Sequence, residues 1–221
     1  MSDQTPGVGS AQSGWATYAE QPETPVPGAP HLRYADTASR LVAYVIDVGI
    51  MFVASTLAFV VLGPSTGLQA AVFSIAWLGW SLGYFVLFWT GGRRATPGQR
   101  LFKIQVGNAS DGAPLNLSQA LKRWFAMGDV LSLVGLIPGL ANGATTLVLI
   151  WGVVLLVTVV RHPSKRGIHD LFAGSAVVRP ITAGSRGTAS GIAVAALVIA
   201  MIPLLAIIVL IFLGSQVSSI R

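Results

Sequence analysis

Two apolar runs of 22 residues, 41–62 and 68–89, follow one another with only a five-residue uncharged turn between them, and Asp47 is the one charged residue in either. At 1.5 Å per residue each makes a helix of about 33 Å, enough to cross a hydrocarbon core of about 30 Å. The chain has 221 residues, 53% of them hydrophobic and only 10% charged. No soluble core of that size hides so much apolar surface, so lipid is the expected solvent. A carboxylate inside such a run costs about 2.5–3.5 kcal/mol to insert. Arg40, Tyr44, Asp47 and Met51 recur at helical spacing and share one helix face. Asp47 is therefore a site hypothesis, with Arg40, two turns away, as its nearest partner.

The net charge of +6 comes from basic residues that flank apolar runs. There they orient the chain and touch anionic lipid headgroups, so nucleic acid is not an expected partner. The absence of cysteine excludes disulfides and thiolate metal sites and fits a reduced cytoplasm. Abundant Ala, Val and Gly (25 glycines) is a bacterial composition. Residues 1–31 are rich in Pro, Gly, Ser, Thr and Gln and contain no Ile, Leu or Phe. They read as a disordered cytoplasmic tail rather than a signal peptide, lacking a basic start and an apolar core.

The polar stretch 93–118 cannot lie in lipid. Residues 101–106 alternate apolar and polar, and Asp111-Gly112 lies in turn chemistry from Asn108 to Pro114, so a small β-hairpin on the cytoplasmic surface is expected. Ser118 reads as the N-cap of the next helix. Apolar residues 121–160 are broken by Pro138-Gly139 and Asn142-Gly143. Basic residues on both sides decide how they run. Arg93, Arg94, Arg100, Lys103, Lys122 and Arg123 precede the region, and Arg161, Lys165, Arg166, Arg179 and Arg186 follow it. Both groups belong on one side of the membrane, which needs an even number of crossings between them. A helical hairpin satisfies this, its first arm short and either re-entrant or interfacial, with Lys122 and Arg123 snorkelling. Asp129 then becomes a second intramembrane carboxylate. A linker at 181–191 leads to a last span at 192–213, kinked at Pro203, and a short tail at 214–221. The expected fold is thus an all-α membrane bundle of about five transmembrane segments, N-terminus cytoplasmic, in an inner (plasma) membrane.

Three motifs carry a resemblance. Ala38-Ser39-Arg40-Leu41-Val42-Ala43-Tyr44-Val45-Ile46-Asp47 resembles the opening of the RDD family of membrane proteins. Residues 95–106, from Ala95-Thr96-Pro97-Gly98-Gln99-Arg100 to Val106, resemble the loop after that family's second span. Lys165-Arg166-Gly167-Ile168-His169-Asp170-Leu171-Phe172-Ala173-Gly174 resembles its closing motif. The likeness covers about 32–180. It implies that Arg40, Asp47 and Asp170 are the arginine and two aspartates for which the family is named. Gln99 stands where the family usually has a lysine. The resemblance implies transport, with no ligand identified.

Chemically, Arg40 reads as pairing with either Asp47 or Asp170 to hold the surface motif against the first helix, while Asp47 is open to two roles. Burial and a nearby arginine act in opposite senses on its protonation, so a proton or small cation can bind there reversibly. His162 and His169 have no metal-ligand spacing and read as facing headgroups. No nucleophile elbow, phosphate loop or zinc-protease motif occurs, so neither enzyme activity nor a cofactor is expected. Gly79 and Gly83 offer a close-packing face for a homo-oligomer. The function expected is small-ligand or cation/proton transport through an Arg/Asp site of Arg40, Asp47, Asp170 and Asp129. The alternative is a scaffold recruiting partners through its tail and basic loops. Topology is testable because the chain has no cysteine. Under the hairpin reading, one introduced at Asn142 labels only from outside the cell.

Overall fold

The computed structural model describes residues 24–63, 67–137 and 139–181. The expected span at 192–213, the tail beyond it and nearly all of the linker lie outside the described residues. In chain order the elements are β1 (Pro25–Val26), β2 (Ala29–Tyr34), α1 (Thr37–Leu62), α2 (Gly67–Thr90), α3 (Pro97–Leu101) and β3 (Gln105–Asn108). Next come α4 (Leu117–Met127), a 3₁₀ helix (Asp129–Leu136), α5 (Ala141–Arg161), α6 (Ile168–Ala173) and β4 (Ser175–Pro180).

The two apolar runs become α1 and α2. Thr37–Phe59 and Gly67–Thr90 are long and apolar enough to cross a membrane, with mean hydropathy of 2.0 and 1.7. Among the described residues their outer side chains find no protein cover: Val61 is 81% exposed and Leu68 76%. In water such surface is a liability, and in lipid it is what the helix needs. Asp36 starts α1, its Oδ1 accepting the Ser39 N–H at 2.7 Å. Gly63, at φ +51, ends it.

The all-helical expectation is corrected to a mostly helical fold with a four-stranded antiparallel sheet, in the order β1-β2-β4-β3. The local hairpin does not form. Thr96-Pro97-Gly98-Gln99 is a capping box with proline in the first turn, so α3 forms just ahead of the alternating run and takes in its first residue, Leu101. Lys103 then takes φ +53, which no strand tolerates. The turn at 108–114 does close, with the Gly112 N–H donating to Asn108 O at 2.9 Å. β3 nevertheless pairs with the distant β4, Val106 opposite Val177. Residues 25–34, most of which have the composition of a tail, form β1 and β2, and Tyr34 lies opposite Val178.

Alternation along β4 gives the sheet two apolar faces. Ala176 and Val178 pack with Val26, Ala29 and Leu32 on one side. Val177 turns to the main core, with Phe85, Trp89, Ile104, Val106 and Trp124.

Residues 119–137 are not one helical arm. α4 is amphipathic, begins at Asn116 rather than Ser118, and ends at Gly128 with φ +94. The next eight residues are 3₁₀, about 16 Å at 2.0 Å per residue, too short to cross a membrane. This piece packs along α5. The small pair on α2 meets no helix among the described residues: a Cβ added at Gly79 or Gly83 has nothing within 4 Å.

Gly98 is where α3 presses on α1. A Cβ there would lie 2.2 Å from Ala43 O and 3.0 Å from Asp47 Cγ. Gly98→Ala is expected to lower stability by about 1–3 kcal/mol, read as a drop in thermal midpoint of the purified protein in detergent.

Candidate functional site

Asp170 is fully buried and stands at the third position of α6. Four donors and a ring surround it. Arg123 Nη1 of α4 makes a short contact with Oδ1, and Arg40 Nη1 of α1 lies 3.4 Å from Oδ2. Ser175 Oγ of β4 donates to Oδ1 at 3.2 Å, and the Gly167 N–H donates to Oδ2 at 3.3 Å. His169 Nε2 is 3.5 Å from Oδ2. Burial alone would raise this carboxyl's pKa, but the guanidiniums of Arg123 and Arg40 overturn that and hold it well below the usual carboxylate range.

Arg40 does not pair with Asp47, although both lie on one face of α1. Its Nε donates to Ala35 O at 3.0 Å and its Nη2 to Val177 O at 2.7 Å, while Nη1 also reaches Lys165 O. One side chain thus fastens the start of α1, the 162–167 turn and β4 together. The shared face is real, but the arginine extends toward the sheet end and the aspartate turns to α3.

Asp47, 1% exposed, is held by three donors and, among the described residues, by no cation. Thr96 Oγ1 donates to Oδ2 at 2.5 Å, and Tyr84 OH and the Gly98 N–H donate to Oδ1, each at 2.8 Å. Thr96 serves twice, since its Oγ1 also accepts the Gln99 N–H at 3.3 Å. Gln99 completes the capping box through Oε1, which accepts the Thr96 N–H at 3.0 Å. An amide does this without needing a charge. Asp129, first residue of the 3₁₀ helix, accepts a short hydrogen bond from Ser81 Oγ of α2, and Trp124 Nε1 donates to the same Ser81 oxygen at 3.1 Å.

A cavity of about 300 Å³ joins these clusters. Arg40, Asp47, Asp129 and Asp170 all line it, with Arg123 and His169. On α1 its lining runs from Thr37 to Asp47, about 15 Å along the axis. Tyr44, Phe85, Leu155 and Val159 supply apolar wall. Among the described residues no group of three His, Asp or Glu is placed to hold a metal ion.

Two readings are corrected here. Arg123 is not a snorkelling residue: it is 3% exposed, and its guanidinium lies 4.9 Å over the Trp89 ring. Its spacing from Ala120, Trp124 and Met127 puts it on the apolar face of α4, whereas Lys122 is off that face. That was the available signal. His169 does not face headgroups either: its side chain is 13% exposed, and its ring lies over Gly167, where a Cβ would come within 2.7 Å of its Cε1. Among the partners, Thr96 lies in the motif at 95–106, whereas Tyr84 and Ser81 left no mark in the sequence beyond being polar groups within an apolar run.

Stability should report His169. Burial lowers its pKa to about 4, against the pull of Asp170 and with the help of Arg123 and Arg40. Unfolded, it titrates near 6.5. Below that value the unfolded chain takes the proton first, so stability is lost as the pH falls from about 6.5 toward 4. Asp170 adds nothing in this window, since its stabilisation is complete above about pH 4 and is lost only at more acidic pH. The expected loss between pH 7 and 5 is on the order of 2 kcal/mol, and His169→Gln should flatten the profile of thermal midpoint against pH.

No curated protein and no solved structure matches the chain. The model of the RDD family matches residues 34–174, covering both apolar helices and every side chain of the cavity lining except Val177, and the chain belongs to the RDD family.

Proposed function

We propose that this is a multi-pass protein of a bacterial plasma membrane that carries a small ligand, cation or proton through the cavity between α1, α2, α4 and α5. In this reading the N-terminus and both basic segments are cytoplasmic, anionic headgroups contact the basic residues, and the chain is not an enzyme. The observation that carries it is one cavity lined by three carboxylates, Asp47 within α1, Asp129 at the start of the 3₁₀ helix and Asp170 on α6. The working carboxylate is Asp129. Asp47 and Asp170 are each held by at least three donors, whereas Asp129 is held by two side chains, Ser81 and Trp124. A carboxylate with coordination to spare is the one that exchanges a proton or cation. The open face at Gly79 and Gly83 supports a homo-oligomer.

One observation favours a second reading. Arg40, Asp47 and Asp170 all find their partners inside the fold, as they would in a scaffold whose tail and basic loops recruit other molecules. Proton movement driven by an ion gradient in proteoliposomes separates the two. Under transport, Asp129→Asn lowers flux at least about tenfold at equal folded content, while Asp47→Asn chiefly lowers yield. If wild type moves no protons above empty vesicles for any cation tested, transport falls. The scaffold reading then requires that deleting residues 1–30 abolish function.

A further inference from the structure

Among the described residues the charges around Asp170 do not balance. One carboxylate faces two guanidiniums, whose side chains are 8% exposed for Arg40 and 4% for Arg123. His169, its pKa lowered by burial to about 4, is neutral near pH 7. Asp36, the neighbouring carboxylate, is taken by Arg179 at 3.0 Å. Arg166 adds to the surplus and reaches only carbonyls, those of Ser175 and Asp170. Buried charge of one sign is costly unless something answers it.

Arg123 is the cation with coordination left. Both its hydrogen bonds leave from Nη1, to Asp170 and to Ser175 Oγ. Its Nε is buried and meets no acceptor among the described residues, and Nη2 makes no hydrogen bond with them. Arg40 by contrast bonds through all three nitrogens. Nε and Nη2 form the side edge of a guanidinium, two parallel N–H groups that match two oxygens of a carboxylate or phosphate. The guanidinium carbon lies 4.9 Å over the Trp89 ring, and Arg123 lines the cavity. The two other carboxylates, Asp47 and Asp129, lie toward the other end. Ser81, which holds Asp129, is eight residues from Trp89 along α2, about 12 Å. Asp47 is about 10 Å below Arg40 along α1.

We infer that the cavity takes a ligand with an anionic group of the carboxylate or phosphate class, held on the Nε and Nη2 edge of Arg123, its apolar part against Phe85, Leu155 and Val159. This rests on the cavity being a ligand site and adds the chemistry of the ligand. The anion comes either from a lipid headgroup or from a small solute, since both present the same oxygens.

The test measures thermal stabilisation of the full-length protein. Three probes are titrated: inorganic phosphate, hexanoate, and phosphatidylglycerol in phosphatidylcholine nanodiscs. At least one is expected to stabilise saturably. Arg123→Lys keeps a charge opposite Asp170 but not the two-pronged edge, and should weaken that response at least about tenfold. Gly152→Leu provides a second variant. A Cβ at Gly152 meets nothing within 4 Å, so the leucine fills the cavity wall without touching Asp170, and should weaken binding as much. A response to phosphatidylglycerol alone identifies a lipid, and a response to the soluble anions a free solute. The inference is overturned if no probe stabilises saturably, or if Gly152→Leu binds like wild type. Proton flux without anion binding would retain transport and discard this site, whereas anion binding without flux would do the reverse.

Discussion

A carboxylate with no exposure at all, Asp170, is the point on which the sheet end of this protein turns. Ionised and alone it could not exist there, because burial of an unpaired charge costs far more than a domain's whole stability allows. Its partners come from four separate parts of the chain: Arg40 from α1, Arg123 from α4, Gly167 from the turn before α6, and Ser175 from β4. Each reaches Asp170 only if its own element is in place. Removing one partner of such a pair costs about 3–5 kcal/mol, a large part of the usual 5–15 kcal/mol total. The ion cluster therefore acts less as a bonus to stability than as a condition on the geometry, in which helices, turn and sheet must all arrive together.

Asp47 does the same work lower down by different means. Among the described residues no cation meets it, and its oxygens are filled by Tyr84, Thr96 and the Gly98 amide. The loop after α2 is thereby drawn against α1, and its first backbone groups are satisfied by side chains rather than by water. Non-helical backbone close to apolar helices is tolerated only where protein supplies its hydrogen bonds. The missing Cβ of Gly98 is what allows the approach, because any side chain there would strike Ala43 O.

The sequence made the parts legible and left their assembly hidden. The lengths of α1 and α2, the depth of Asp47, and the three motifs around Arg40, Thr96 and Asp170 are all local patterns. The sheet is not local. β4 sits about seventy residues after its neighbour β3 in the sequence, and no periodicity announces a pairing over that distance. Six alternating residues at 101–106 are too few to outweigh the capping box that precedes them. Arg123 is hidden by its neighbourhood. A lysine and an arginine together at the start of an apolar region look like interface anchors, and only the phase of α4 separates the exposed Lys122 from the buried Arg123. The arm at 119–137 reads as helix because its composition is largely apolar, yet Gly128 turns it at φ +94 and residues 129–136 wind as 3₁₀.

The structural and ligand-handling roles of these residues are best separated by counting what each has left over. Asp170 and Arg40 are saturated by the fold, and so is Asp47, whose two oxygens accept three hydrogen bonds. A group in that state cannot take a ligand without giving up a partner. Asp129 at one end of the cavity and Arg123 at the other retain unused capacity, and they do so in a space that is mostly apolar. Low polarity strengthens any ion pair formed there. Under the proposal that the cavity takes a ligand, the arrangement suits a solute whose charge is concentrated at one end and whose remainder is greasy better than a fully hydrated ion. The residues that name the family would then act as the frame, and the chemistry would belong to the two side chains the frame leaves free.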